Sequence, residues 1–119
     1  MKVIVAEDEI IVALDIASTL KRLGYIVPSI VSSGEELIKT YFKYNPDLII
    51  TDIMLKGDVD GIAAAKVIKE NKNIPILFVS GFSDPNYYTE AKKISPNGLV
   101  GKPFNSSNFK NKLETLLGN

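Results

Sequence analysis

Short runs of aliphatic residues alternate with longer stretches of helical spacing along the whole chain. Lys2-Val3-Ile4-Val5-Ala6 is apolar without alternation and reads as a strand buried on both faces. Over residues 9–23 the apolar positions Ile10, Ala13, Leu14, Ala17, Leu20 and Leu23 follow a helix period. Asp8 is placed to cap its start and Gly24 its end. Residues 25–31 form a second strand. Ser33-Gly34-Glu35-Glu36 has the form of a capping box and opens a helix toward Tyr44. Pro46 interrupts, and Asp47-Leu48-Ile49-Ile50-Thr51 is the third strand. A loop rich in Gly and Asp leads to a helix over 61–70. Pro75 precedes the fourth strand, Ile76-Leu77-Phe78-Val79, and Asp84-Pro85 starts a helix that reaches Ile94. Gly98-Leu99-Val100-Gly101 is a weaker fifth strand, and Asn105 caps a last helix ending near Leu117.

This is a strand–helix unit repeated five times. Near-continuous apolar strands call for a parallel sheet covered on both faces, with right-handed crossovers. The expected fold is therefore α/β: a flavodoxin-like doubly wound (βα)5 sandwich, a five-stranded parallel sheet in the order 2-1-3-4-5. Pro28 supports that order, because proline inside a strand is tolerated at an edge, and this order puts the second strand there. Tyr41, Phe42, Phe78 and Phe109 read as core or half-core packing. Lys92-Lys93 and Lys110 with Lys112 read as solvated faces.

The length of 119 residues fits a single domain over 1–119, with no output domain expected, and 45% hydrophobic residues suffice for a core. Basic and acidic residues number 14 each, so net charge gives no reason to expect a nucleic acid or an anionic membrane as partner. Cysteine and histidine are both absent. That excludes a disulfide frame, a thiol nucleophile, a Ser-His-Asp triad and an imidazole or thiolate metal site. It also excludes the chain as its own phosphohistidine donor. A metal here has to be a hard cation held by oxygens. The start shows no signal-peptide pattern, and no apolar run approaches the roughly 20 residues that span a bilayer, so the cytoplasm is the expected location.

In such a sheet, ligands bind outside the carboxyl ends of the strands. There the first strand delivers Glu7-Asp8-Glu9, the third Asp52, the fourth Ser80 and the fifth Lys102-Pro103. Close carboxylates repel and resist ionisation unless a cation intervenes. Mg²⁺ (or Mn²⁺) answers that need through carboxylates, water and a substrate phosphate. Asp52 beside a divalent cation and the Lys102 ammonium would stay ionised, and a carboxylate so placed can attack phosphorus. Each piece has a plain structural explanation by itself: acids at a helix start, an Asp in a turn, a Lys-Pro leading into a helix. Their convergence at one sheet edge argues for chemistry instead.

Glu7-Asp8, Asp52 followed by Ile-Met-Leu, Asp60-Gly61, Ser80-Gly81 and Lys102-Pro103-Phe104 together resemble the signature set of response-regulator receiver domains of two-component signalling. The resemblance spans nearly the whole chain. It implies Asp52 as the phospho-acceptor and direct Mg²⁺ ligation by Asp8 and Asp52. Glu7 would act through water, and the Met54 backbone carbonyl would complete the protein ligands. It further implies that Lys102 pairs with the phosphoryl group, across a cis peptide before Pro103, and that Ser80 is the switch hydroxyl. The implied donor is a phosphohistidine on a sensor histidine kinase or histidine phosphotransfer protein. The implied output is a downstream protein target or an attached domain, read from the face of the fourth helix, fifth strand and fifth helix, where a homodimer can also form. The chain would take up and slowly lose its own phosphoryl group, without being a metabolic enzyme.

Three positions depart from the common pattern. Leu99 stands where an aromatic is usual, three residues before the lysine, and predicts weaker or rerouted coupling to the switch. The loop from Met54 to Gly61 is one residue longer than usual, with Lys56 where proline is frequent. Glu7 replaces a frequent aspartate. Met54 and Phe82, each two residues beyond a key residue, are apolar and cannot orient a water, so a phosphoryl group on Asp52 is expected to decay slowly. Rival readings are a receiver fold that docks without phosphorylation, a flavin carrier and an aspartyl phosphatase. Three acids after the first strand disfavour bound flavin phosphate, and Met54 occupies the place of a phosphatase's second acid.

Overall fold

The computed structural model describes residues 1–81 and 85–118, leaving the side chain of Pro85 aside. Strands and helices alternate as β1 (Lys2–Ala6), α1 (Ile10–Arg22), β2 (Ile26–Val31), α2 (Gly34–Tyr44), β3 (Leu48–Asp52), α3 (Gly61–Asn71), β4 (Ile76–Ser80), α4 (Pro85–Ile94), β5 (Leu99–Gly101) and α5 (Ser106–Leu117). Every strand pairing is parallel and the order is β2-β1-β3-β4-β5, the flavodoxin-like arrangement. Pro28 lies on the edge strand as expected. Lys2 pairs with Ile26 but Ile4 with Ser29, so β2 carries an extra residue where Pro28 sits.

Alternation along the inner strands divides the core in two. Ile4, Ile49, Phe78 and Leu99 face a layer that includes Leu37 of α2, Ile68 of α3 and Ala91 of α4. Val3, Ile50, Leu77 and Val79 face Ile16 and Leu20 of α1 and Phe109 of α5. Burial on both sides explains why β1, β3 and β4 read as unbroken apolar runs.

Several local expectations change. The N-cap of α1 is Glu9, whose side chain makes no capping bond; Asp8 joins the site instead. The inner stripe of α1 is Ala13, Ile16, Ala17 and Leu20, leaving Ile10 and Leu14 exposed. Phe42 is likewise exposed, because Leu37 and Tyr41 at i and i+4 take the inward face and Phe42 lies a further 100° round the helix. The Ser33 hydroxyl accepts from Glu36 N–H at 3.1 Å, but the Glu36 carboxylate accepts from the Ser32 and Ser33 hydroxyls, not from the Ser33 backbone. Asn105 caps α5 as expected, and Asp60 caps α3 by accepting from Ala63 N–H at 2.8 Å. The expected cap at Asp84, and Phe82, lie outside the described residues.

Candidate phosphoryl site

Strand register brings the site together. Ala6 pairs with Thr51, so Glu7 leaves β1 beside Asp52 at the end of β3. Asp52 pairs with Val79, one residue before Ser80, and Ser80 pairs with Gly101, one residue before Lys102. Alternation then selects the face. Asp52 continues the Leu48-Ile50 side and Lys102 the Val100 side, toward α1 and α5. The Lys102–Pro103 peptide is cis.

Lys102 is the hub of the result. Its Nζ lies 2.9 Å from Asp52 Oδ2, 3.0 Å from Glu7 Oε2 and 3.6 Å from Glu9 Oε1. One ligand oxygen from each of Glu7, Asp8 and Asp52 lies within 4.8 Å of the others. The remaining oxygens are partly committed to backbone. Asp52 Oδ1 accepts from Met54 N–H at 3.2 Å, and Glu7 Oε1 from Glu9 N–H at 3.1 Å. Glu7 Oε2 is fully buried and, although ion-paired, has no hydrogen-bond donor aligned on it.

Charge in this cluster is unbalanced. Burial pushes the Glu7 carboxyl up to about 7, and the charge of Asp52 adds to that push, while Lys102 and the Glu9 N–H oppose it. Burial disfavours the Lys102 ammonium, but the carboxylates of Asp52 and Glu7 outweigh it and hold Lys102 well above the ordinary lysine range. Four carboxylates around one ammonium leave room for more positive charge. An all-oxygen donor set in which carboxylates outnumber the one ammonium fits a hard divalent cation such as Mg²⁺. The mouth opens into a cleft of about 650 Å³ bounded by Glu9, Val12, Gly81, Lys102 and Phe104.

Two uncharged residues belong to the neighbouring strands β4 and β5. Ser80 is buried at the end of β4, on the Phe78 side by alternation, and its hydroxyl donates to Gly81 O at 2.9 Å. Leu99 is buried on that same side, paired with Phe78. The acids and Lys102 therefore converge as expected, and Ser80 adjoins them at the end of β4, its carbonyl accepting from Lys102 N–H at 2.6 Å. Met54 is exposed beside Asp52. Two contributions went unassigned from sequence. Glu9 is a further acid on Lys102. Gly61 is required because a Cβ there would collide with Asp52 O. Its place after Asp60 was visible, but the backbone it meets was not.

The family model described as the response regulator receiver domain matches residues 3–114. The chain belongs to this family. It is 30% identical over 108 residues to the transcriptional regulatory protein PdtaR of Mycobacterium tuberculosis, an alignment covering 91% of this chain and 52% of that protein. The chain thus spans about half the length of these curated relatives. Among solved structures, the signal receiver domain of a modulated diguanylate cyclase from Desulfovibrio desulfuricans superposes with a TM-score of 0.89 at 29% identity, covering 98% of this chain and 93% of that one. A putative response regulator from Chloroflexus aurantiacus gives 0.87 at 26%, covering 99% and 98%. Response regulators work with histidine kinases and with downstream output targets. Among the described residues, no helix of this receiver is long and apolar enough to cross a membrane.

Proposed function

We propose that this receiver accepts a phosphoryl group on Asp52 from a phosphohistidine of a partner kinase or phosphotransfer protein. The observation that carries the reading is the Lys102 ammonium 2.9 Å from Asp52 Oδ2 inside a cluster of three further acids. In the step, an Asp52 carboxylate oxygen forms a bond to phosphorus. The phosphorus–nitrogen bond of the donor breaks, and its electron pair returns to the imidazole. Asp8 and Asp52 would hold Mg²⁺, with the Met54 carbonyl and, through water, Glu7. When bound, the ion neutralises phosphoryl oxygens and supplies the positive charge the acids lack. Lys102 binds a phosphoryl oxygen and pairs with the Asp52 carboxylate. Met54 N–H holds the Asp52 carboxylate in one orientation.

The switch follows from the other face. Ser80 and Leu99 lie on the α3–α4 side, so movement of the Ser80 hydroxyl toward a phosphoryl oxygen would be felt by the packing of Leu99 and α4. The exposed Ile11 of α1 lines the cleft at the mouth and offers apolar contact to the protein donor. Leu99 is also what favours the second reading, a receiver fold that docks without phosphorylation.

Intact mass after incubation with acetyl phosphate separates the two. The proposal expects one phosphoryl group on wild type with Mg²⁺, and none with chelator or in Asp52→Asn. Docking alone expects no mass gain under any condition.

A further inference from the structure

The loop between β3 and α3 leaves Asp52, carries Met54 and ends at the Asp60 cap. It is fastened to the start of α2. Lys56 N–H donates to Ser32 O at 3.3 Å, and Ser33 and Lys56 form an isolated parallel bridge. Gly34 N–H donates to Val59 O at 3.0 Å. Asp58 N–H donates to Glu35 Oε2 at 3.2 Å.

Two glycines make the approach possible. A Cβ at Gly34 would collide with Val59 O. Gly57 has φ +87°, and a Cβ there would come within 2.8 Å of Glu35 Oε1. Backbone N–H groups of Glu35 itself, Asp58 and Val59 hold the exposed Glu35 carboxyl below the usual carboxylate range. The loop is otherwise anchored at its ends, by Leu55 in the core and by Gly61 N–H donating to Ile53 O at 2.9 Å. Between these anchors Lys56, Gly57 and Asp58 are exposed. The stretch that could drift is thus the stretch tied to α2. It is also where the chain is one residue longer than the common pattern and has Lys56 where proline is frequent.

We infer that Glu35 is a positioning residue for the phosphoryl site: its carboxylate fixes the 56–59 turn, and through it the Met54 segment beside Asp52. The inference rests on the proposed metal-dependent phosphorylation. It also gives α2 a direct link to the site, through the Glu35 carboxylate and the backbone hydrogen bonds at Gly34 and Lys56.

The test compares wild type, Glu35→Ala and Glu35→Gln by calorimetric Mg²⁺ titration, phosphorylation by acetyl phosphate and amide exchange at Asp58. Glu35→Ala should speed Asp58 exchange and weaken Mg²⁺ binding about five-fold, the scale of one lost hydrogen bond. Phosphorylation should slow at limiting Mg²⁺ and recover at saturating Mg²⁺. Glu35→Gln should restore most of both, because its amide oxygen still accepts from Asp58. The thermal midpoint should fall by no more than a few degrees, about the scale of one exposed hydrogen bond. Unchanged Asp58 exchange in Glu35→Ala would overturn the clamp. Faster exchange with wild-type Mg²⁺ affinity would overturn its link to the site. If wild type itself neither binds Mg²⁺ nor gains a phosphoryl group, the underlying functional reading fails, and that shows before any variant is compared.

Discussion

Replacing Glu7 by Gln tests whether the site is electrostatically strained without metal. Glu7 is 2% exposed, and its carboxyl is pushed from 4.5 to about 7, chiefly by burial. A raised carboxyl pKa means the folded state holds the proton more tightly than the unfolded chain. Its contribution to stability is therefore complete below about 4.5 and is lost as pH rises through about 7. The difference of 7 − 4.5 = 2.5 pH units corresponds to about 3 kcal/mol at most. At roughly 4 °C per kcal/mol for a chain of this size, that is about 12 °C in thermal midpoint. Glu7→Gln keeps the shape and removes the ionisation. In chelator, wild type should lose stability relative to the variant between about pH 5 and about pH 8, the gap reaching its full size at the alkaline end. Urea unfolding followed by circular dichroism at several pH values measures it. Mg²⁺ should close the gap by binding the folded wild type. Parallel pH profiles for the two proteins in chelator would refute the reasoning, because they would mean the Glu7 carboxylate is not penalised by its surroundings.

Other substitutions probe separate parts of the account. Lys102→Met removes the charge-assisted contact to Asp52, and phosphorylation by acetyl phosphate should slow by about ten- to a hundred-fold, read as a time course of intact mass. Gly61→Ala forces a side chain onto Asp52 O, so denaturant unfolding should show a loss of about 2 kcal/mol or more, together with impaired phosphorylation. Ile11→Ser should leave the rate with acetyl phosphate unchanged while slowing transfer from a phosphorylated histidine protein; equal slowing with both donors would argue against a docking role. Ser95→Ala removes the buried bond from Ser95 Oγ to Ile76 O at 2.7 Å and should cost about 1–3 kcal/mol in the same unfolding assay.

Much of this was legible because the relevant signals are local. Unbroken apolar runs mark strands buried on both faces, Pro28 marks the edge, and strand ends mark where acids and lysine must meet. What escaped depends on which way an element faces. Ile10-Leu14-Ala17 and Ala13-Ile16-Ala17-Leu20 are both acceptable helical stripes, and only packing on the sheet selects the second. Gly34, Gly57 and Glu35 gave no signal, since their partners lie more than twenty positions away and become neighbours only when two loops cross. The capping box at Ser33 was recognised, but the first-turn acid Glu35 beside it reaches outward to another loop.

The central claim is that Asp52 is where phosphorus is bonded. Borohydride reduction of wild type after acetyl phosphate and Mg²⁺, followed by peptide mass mapping, locates an acyl phosphate by converting an aspartyl phosphate to homoserine and a glutamyl phosphate to 5-hydroxynorvaline. The account predicts conversion at position 52 alone and none when Mg²⁺ is withheld. Conversion at Glu7, Asp8 or Glu9, or no conversion anywhere in a protein that binds Mg²⁺, would contradict it.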